Sequence, residues 1–200
     1  MKILAVADFH GYQYRLNILL ENIKKYSPEL VVVCGDITQF GPGEVATNFL
    51  NQIPVDTIAV PGNIDSSDVP KAIEKSKAKN ISLKKFEKNK ILFAGISGDT
   101  LSQTDAKTIE KLLDKQSVLV SHAPPHGFQD KVFIGTHIGN KEIRKIVDNC
   151  KPRLVICGHI HENPGFTKNK YTTVVNCSMG KRGEGALIEI NKNITVKMLD

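Results

Sequence analysis

A repeated pattern constrains the fold of this chain: a short apolar segment runs directly into a turn that carries Asp, His or Asn. Such segments are almost entirely apolar rather than alternating, which is typical of strands covered on both faces in the parallel sheets of α/β proteins. Because the carboxyl ends of parallel strands meet at one edge of a sheet, the polar residues that follow them should converge there. The pattern occurs at Ile3–Ala7, Leu30–Cys34, Thr57–Val60, Val118–Ser121 and Leu154–Cys157.

Helical spacing separates several of these strands. Apolar residues recur at i, i+3, i+4 and i+7 over 16–23 and 143–150, and a shorter stripe over 109–113 follows the candidate N-cap Thr104. Pro70 suits the first turn of a further helix. The alternation of strand and helix predicts right-handed crossovers and a parallel sheet.

The last 30 residues follow a different pattern, because strand-like segments come one after another without helices. These segments are 171–176, 185–190 and 194–199. They predict an antiparallel part of the fold, with a second sheet as one arrangement. No composition shift or linker marks a boundary, so residues 1–200 are expected to form a single domain.

Composition excludes a disordered or membrane-spanning chain. Hydrophobic residues make up 40% and charged residues 24% of the 200 residues. The apolar runs are far shorter than the roughly 20 residues that cross a bilayer, and the N-terminus lacks the features of a signal peptide, so we expect a cytoplasmic protein with no membrane partner. The four cysteines lack CxxC spacing and are expected to be free thiols.

Seven polar side chains follow the predicted strands and form a set of metal-ligating types. Imidazole, carboxylate and amide oxygen are ligands of borderline-to-hard divalent metals. A set of seven exceeds the needs of one tetrahedral site, and suits two adjacent metals with Asp36 as the bridge. The candidate ligands are Asp8, His10, Asp36, Asn63, His122, His159 and His161.

Local spacing supports this grouping. If Asp8 and His10 lie in an extended turn, their side chains point to the same side. His159 and His161 repeat the spacing, so each of these two histidines is able to serve a different metal. A glycine precedes several of the candidates, as expected where the chain turns sharply or approaches another segment closely.

The chain resembles the calcineurin-like metallophosphoesterases, in particular their short single-domain phosphodiesterase branch. The resemblance implies an α/β fold: a four-layer αββα sandwich of two mixed sheets flanked by helices, with the metal site at the strand C-terminal ends. It implies one metal on Asp8, His10, Asp36 and His161, and the other on Asp36, Asn63, His122 and His159. The motifs that carry it span residues 8–161 and are Asp8-Phe9-His10, Gly35-Asp36, Gly62-Asn63-Ile64-Asp65, Ser121-His122-Ala123-Pro124-Pro125 and Gly158-His159-Ile160-His161.

The resemblance implies a hydrolase that cleaves small phosphate esters, most simply phosphodiesters, by attack of a metal-bridging hydroxide. Nucleotides are among the candidate substrates. Manganese is the expected metal, with iron, nickel or zinc as alternatives, because the ligand set contains oxygen and nitrogen but no thiolate.

One position departs from the family pattern, which usually has a histidine after the asparagine. That histidine is thought to protonate the leaving group, and this chain has Ile64 instead. His126 and His137, in the loop after the fourth strand, are candidate catalytic replacements, although an exposed loop histidine is the alternative interpretation of each. Asn63 is a candidate catalytic residue as well as a ligand.

Other functions remain open at this point. A net charge of +6 and a pI near 9.1 favour a nuclease, but tryptophan is absent and aromatic residues are only 6%, so no base-stacking platform is evident. A weakly active or inactive metal-binding scaffold for protein partners is the third hypothesis, which Ile64 favours and the complete ligand set opposes. Lys181 and Arg182 are candidates for binding a substrate phosphate, although a solvated loop is the favoured interpretation of these two residues. Oligomeric state is not predicted.

Overall fold

A computed structural model describes residues 1–133, 135–181 and 183–200, which form two six-stranded mixed sheets with helices packed on their outer faces. The strands are β1 (Lys2–Val6), β2 (Leu30–Cys34), β3 (Thr57–Val60), β4 (Lys79–Asn80), β5 (Lys85–Lys88), β6 (Ile91–Ile96), β7 (Val118–Ser121), β8 (Leu154–Cys157), β9 (Gly165–Lys168), β10 (Thr173–Asn176), β11 (Ala186–Ile190) and β12 (Ile194–Met198). The helices are α1 (Gln13–Tyr26), α2 (Gly43–Asn51), α3 (Val69–Lys75), α4 (Gln103–Leu112) and α5 (Lys141–Cys150).

The first sheet has the order β12-β11-β1-β2-β3-β4, and the second has the order β5-β6-β7-β8-β10-β9. Strands β1, β2 and β3 run parallel to one another, as do β6, β7, β8 and β10. Antiparallel pairs occur toward the edges, between β1 and β11 and between β10 and β9, for example. The parallel strands at the centre of each sheet therefore deliver their C-terminal ends to the loops that carry the candidate ligands.

Three apolar clusters hold four layers together. Side chains of α1, α2 and α3 pack on the outer face of the first sheet, where Leu16, Phe49 and Ile73 meet Leu4 and Val33. The cluster between the sheets is built from both, and the third lies between the second sheet and helices α4 and α5. Successive residues of β1 alternate between the first two clusters, so the strand is buried on both faces. The predicted αββα sandwich is confirmed.

The five apolar runs form strands as predicted, but they divide between the sheets: β1, β2 and β3 belong to the first, β7 and β8 to the second. The predicted antiparallel part is present at β11 and β12, which pair antiparallel with β1 and with each other, but these strands do not form a second sheet of their own. Strand β10 pairs in parallel with β8, whereas β11 and β12 extend the first sheet beside β1. Strand pairing depends on long-range contacts that local periodicity does not contain.

Helix boundaries show a further difference from the sequence prediction. Ser102, not Thr104, caps α4: its hydroxyl accepts a hydrogen bond from the Asp105 amide at 3.1 Å. Helix α2 begins at Gly43, within a segment for which no helix was predicted. All four cysteines are free, and Cys34, Cys157 and Cys177 are fully buried. None of the helices among the described residues has the length and apolar character that crossing a membrane requires.

Candidate metal centre

The candidate ligands come together where the central strands of both sheets end. Asp8 follows β1, Asp36 follows β2 and Asn63 follows β3, while His122 follows β7, and the His159–His161 segment follows β8. Two backbone hydrogen bonds lock the first loops together: the Asp8 amide donates to the Gly35 carbonyl at 3.0 Å, and the His10 amide donates to the Asp36 carbonyl at 2.9 Å. The structure therefore brings all seven predicted side chains to one edge of the sandwich.

Two groups of three residues are each able to hold a metal ion. In the first group, ligand atoms of Asp8, His10 and His161 lie within 4.8 Å of one another. The Nε2 atoms of His10 and His161 are 3.2 Å apart, and His161 Nε2 is 3.6 Å from Asp8 Oδ1. Asp8 is fully buried, whereas the two histidines are partly exposed.

The second group consists of Asp36, His122 and His159, again within 4.8 Å. His122 Nε2 lies 3.4 Å from Asp36 Oδ1 and 2.8 Å from the side-chain oxygen of Asn63. The rings of His122 and His159 are 4.9 Å apart between centroids. His159 and His161 thus fall into different groups, and each group combines side chains from both sheets.

The donor atoms of the second group fit a cation. The Cys34 carbonyl, 2.8 Å away, accepts a hydrogen bond from His122 Nδ1, which leaves the lone pair of a neutral His122 on Nε2. That lone pair faces the oxygens of Asn63 and Asp36, which are also acceptors. Three converging acceptors repel one another unless a proton or a metal ion lies between them.

The ionisation of the surrounding groups agrees with this arrangement. Burial opposes protonation of His122, but the carboxylates of Asp36 and Asp8 outweigh it and raise its pKa to about 9. Burial lowers the pKa of His10 and of His159. For Asp8, burial alone would raise the pKa, yet the contact with His161 and the charge of His122 lower it overall, so the carboxylate stays ionised.

The backbone at the site is unusual. Asp8, His10, Asp36 and His159 all have positive φ, at 64°, 51°, 50° and 68°. The predicted extended turn at Asp8 and His10 is therefore wrong: left-handed residues, not extended ones, orient these side chains. Such conformations cost about 1–3 kcal/mol each, and they typically mark functional sites.

Close packing explains one glycine of the predicted motifs. A Cβ atom on Gly62 would lie only 1.9 Å from Asp36 Oδ1, so no larger residue fits there. The Asp65 carboxylate holds the same loops in register, because it accepts hydrogen bonds from the amides of Gly62, Ile37 and Thr38 at 2.8–3.1 Å. Asp65 is thus a structural clamp between the loops that carry Asp36 and Asn63.

Sequence reasoning missed Arg15, which is only 5% exposed and lies in the first turn of α1. Its guanidinium donates hydrogen bonds to the Asp8 carbonyl and, at 2.7 Å, to the Gly180 carbonyl. Gly180 packs against the His161 ring, where a Cβ would approach Cγ to 2.3 Å. Arg15 therefore connects the backbone of Asp8 to the backbone of Gly180, the residue against which the His161 ring packs. A charged residue beside an apolar helix stripe gives no sequence signal of this role.

His126 and His137 lie outside the two groups. Their rings are 5.9 Å apart, and His137 Nδ1 pairs with the fully buried carboxylate of Asp130. Asp130 also accepts hydrogen bonds from the Gly127 and Gly139 amides, both at 2.9 Å. These bonds hold together the two ends of the loop segment that carries His137.

Of the two late basic residues, only Lys181 is described. Its Nζ lies 3.8 Å from a Glu162 carboxylate oxygen, and its side chain is about half exposed. Arg182 lies outside the described residues.

Comparison with known proteins identifies the family and agrees with the fold. Residues 1–163 match the family model for calcineurin-like phosphoesterases. An uncharacterised protein of Methanocaldococcus jannaschii, MJ1162, is 34% identical over 197 residues, covering 89% of this chain and 88% of that protein. A probable glycerophosphodiester phosphodiesterase, GpdQ, of Arcobacter nitrofigilis is 26% identical over 194 residues, covering 86% of this chain and 70% of that protein. The crystal structure of TT1561 of Thermus thermophilus has a TM-score of 0.76 at 13% identity, covering 100% of this chain and 99% of that chain.

The raised pKa of His122 predicts a pH dependence of stability for the metal-free protein. Its folded-state pKa of about 9 exceeds the ordinary value of 6.5, so this contribution to stability is complete below pH 6.5 and is lost as the pH rises through 9. Chemical unfolding in the presence of a chelator should therefore show a falling free energy of unfolding between pH 6.5 and 9. His10 and His159 do not contribute in this window, because their pKa values are lowered. His161 adds to the fall, because its contact with Asp8 raises its pKa.

Saturating Mn²⁺ should abolish this fall, because a cation takes the place of the His122 proton. His122→Gln should reduce the fall without metal and leave the part that comes from His161, whereas His126→Gln, outside both groups, should keep the whole fall. A flat or rising profile for the chelated wild type would contradict the assignment.

The contacts of Arg15 predict that it supports metal affinity without touching the metal. Arg15→Met should weaken Mn²⁺ binding about 10- to 100-fold, as is typical when a partner behind a ligand is lost. Isothermal titration calorimetry measures this, and Arg15→Lys, which retains one donor group, should show a smaller loss. Arg153→Met, a half-buried arginine at the start of β8, is the matched control. Unchanged Mn²⁺ affinity in a folded Arg15→Met protein would refute the role.

Proposed function

Because this chain belongs to the calcineurin-like phosphoesterase family, we propose that it is a dinuclear-metal phosphodiesterase acting on small phosphate esters. The observation that carries the proposal is the pair of ligand groups, each drawn from both sheets, at the strand C-terminal ends. The kinship with a probable glycerophosphodiester phosphodiesterase over 86% of this chain supports a diester rather than a monoester.

In this proposal Asp8, His10 and His161 hold one metal, and His122, His159 and Asn63 hold the other, with Asp36 shared between them. Two divalent cations bound there would polarise the phosphoryl oxygens and lower the pKa of a water molecule. Asp8 and Asp36 supply two negative charges against four positive ones, so the loaded site attracts an anionic phosphate. Manganese is the proposed metal, with iron, nickel and zinc as alternatives.

The chain's own residues set the geometry of this site. The Cys34 carbonyl fixes the His122 tautomer, and Arg15 and Asp65 hold the ligand-bearing loops in place. Asn63 is exposed, and its side-chain oxygen points at His122, so it stands where the second group meets solvent. This placement supports Asn63 as a residue that contacts both metal and substrate.

Protonation of the leaving group needs a donor other than Ile64. We assign this role to His137, with His126 as its neighbour. The buried Asp130 carboxylate pairs with His137 Nδ1 and thereby directs Nε2 outward, toward solvent or substrate. Burial opposes ionisation of Asp130, but the hydrogen bonds with His137 and with the Gly127 and Gly139 amides lower its pKa, so this buried group stays an acceptor for His137.

Two alternatives belong to other functional classes, and simple measurements separate them. Cleavage of a labelled oligonucleotide in Mn²⁺ at a rate comparable to a model diester would favour a nuclease, which the net charge of +6 supports. Absence of bound metal and of activity in every metal would favour a scaffold for protein partners. The cytoplasmic location, the single-domain organisation and nucleotides as substrates stay predictions, the first resting on the free cysteines.

The proposed activity predicts hydrolysis of bis(4-nitrophenyl) phosphate by metal-loaded protein, at a higher kcat/KM than for 4-nitrophenyl phosphate. Mn²⁺, Fe²⁺, Ni²⁺ and Zn²⁺ should be compared in parallel after removal of resident metal. Asp36→Asn should reduce kcat/KM by more than about 100-fold, because it weakens the ligand proposed to be shared. Asp148→Asn, an exposed carboxylate on α5, is the matched control and should leave activity unchanged. A diester rate indistinguishable between Asp36→Asn and wild type would refute the proposal.

Ile64 predicts a preference for good leaving groups. Isoleucine donates no proton, and a general acid typically contributes about 10²–10⁴-fold, so Ile64→His should accelerate hydrolysis of alkyl diesters more than that of aryl diesters. His137→Gln should slow alkyl diesters selectively. The measurement is kcat across a series of diesters of increasing leaving-group pKa, and an equal response at every pKa would contradict both roles.

A further inference from the structure

Exposed aromatic rings lie in the same connections as several of the candidate ligands. The chain has eight phenylalanines and four tyrosines, and six of these are exposed large side chains in the described residues. Four of the six lie in the connections that follow the ligand-bearing strands β1, β2 and β7 or, for Tyr14, in the first turn of α1, and we call them the aromatic rim. The rim consists of Tyr12, Tyr14, Phe40 and Phe133, with 45%, 55%, 74% and 81% exposure.

Phe40 is tied to the second ligand group through the backbone. Its amide donates a hydrogen bond to the Ile64 carbonyl at 3.1 Å, and the Ile64 amide donates to Asp36 Oδ1 at 3.2 Å. One residue therefore separates the Phe40 backbone from a candidate metal-ligand carboxylate. Ile64 adds an apolar side chain at this point.

The conformation of Phe40 does not serve folding. Its φ of 53° is left-handed, a region that bulky side chains avoid, and its ring is 74% exposed. An exposed ring on an unfavourable backbone gains almost no burial energy from the fold. Such outliers point to a role in binding.

The other rim residues border the first ligand group. Tyr12 follows His10 by two residues, and the intervening Gly11 amide donates to the Ile37 carbonyl at 2.9 Å, which places this segment beside the Phe40 loop. Lys181 Nζ lies 3.6 Å from the centre of the Phe133 ring. Lys181 adjoins the glycine that packs on His161. The rim thus has members connected to each of the two ligand groups.

We infer that the aromatic rim is a subsite for an aromatic or other planar organic group esterified to the phosphate, with Phe40 as its principal contact. The inference rests on the proposed function, because a phosphoryl group at the metals is what brings the organic group within reach of the rim. A planar group stacks favourably on an exposed aromatic ring. The apolar side chain of Ile64 extends this surface, whereas a polar residue at that position would weaken binding of an apolar group.

The test uses two non-hydrolysable phosphonates that differ only in the organic group, with Mn²⁺-loaded protein. Calorimetry should show 4-nitrophenylphosphonate binding about 10-fold more tightly than methylphosphonate to the wild type. In Phe40→Ala this preference should fall to about twofold or less, whereas affinity for methylphosphonate should stay unchanged. Tyr171→Ala is the matched control, because Tyr171 is 52% exposed and precedes β10, at the end of the second sheet away from the centre.

A second readout does not depend on turnover or on relative affinity. The chain has no tryptophan, so Phe40→Trp introduces a single reporter. Titration with 4-nitrophenylphosphonate should quench its fluorescence, methylphosphonate should not, and a Tyr171→Trp protein should respond to neither.

The outcomes separate this inference from the proposed function. If diesters are hydrolysed but Phe40→Ala keeps the tenfold preference, or the reporter is not quenched, the subsite is refuted and the phosphodiesterase stands. If no diester is hydrolysed but the phosphonate preference and the quenching appear, the subsite stands and the proposed reaction fails.

Discussion

The structure depends on acceptor atoms that are forced together where the two sheets end. His122 presents a lone pair to the oxygens of Asp36 and Asn63, and His10 and His161 face each other through Nε2 at 3.2 Å. The His10–His161 contact needs a proton on one of the two Nε2 atoms, whereas a neutral His122, whose Nδ1 donates to Cys34, has no proton for its two oxygen neighbours, so a positive charge relieves the repulsion there. A bound proton supplies that charge at His122 when metal is absent, and a cation supplies it otherwise. The raised pKa of His122 and the geometry suited to a metal ion both follow from this convergence of acceptor atoms.

Residues that never touch the metal maintain this convergence. The cost of left-handed backbone at Asp8, His10 and Asp36 must be balanced by contacts elsewhere. Arg15 spans from the Asp8 carbonyl to the Gly180 carbonyl, and Asp65 gathers amides from two loops. The buried Arg15 and the half-buried Asp65 make several hydrogen bonds each, which is the condition under which burial of a charge is tolerated.

The strands and the ligand types could be predicted from the sequence because both are local properties. An apolar run followed by a polar turn is visible in any window of eight residues, and five repeats of it define one edge of the fold. Partner choice between strands is not local, which is why the consecutive strands at the end of the chain did not reveal that β10 pairs in parallel with β8. Backbone handedness at Asp8 and His10 was also missed, because hydrogen bonds from distant loops determine it. The same reason hides Arg15, whose partners lie 7 and 165 positions away in the chain.

Each ligand group unites residues from opposite sheets, and this has a mechanical consequence. Asp8 and His10 follow a strand of the first sheet, and His161 follows a strand of the second. An ion that binds all three residues therefore links the two sheets to each other. Its binding energy is added to the cohesion of the apolar layer between the sheets, in proportion to the logarithm of ion concentration over the dissociation constant. The melting temperature of the entire protein should therefore rise with the metal concentration of the surrounding solution.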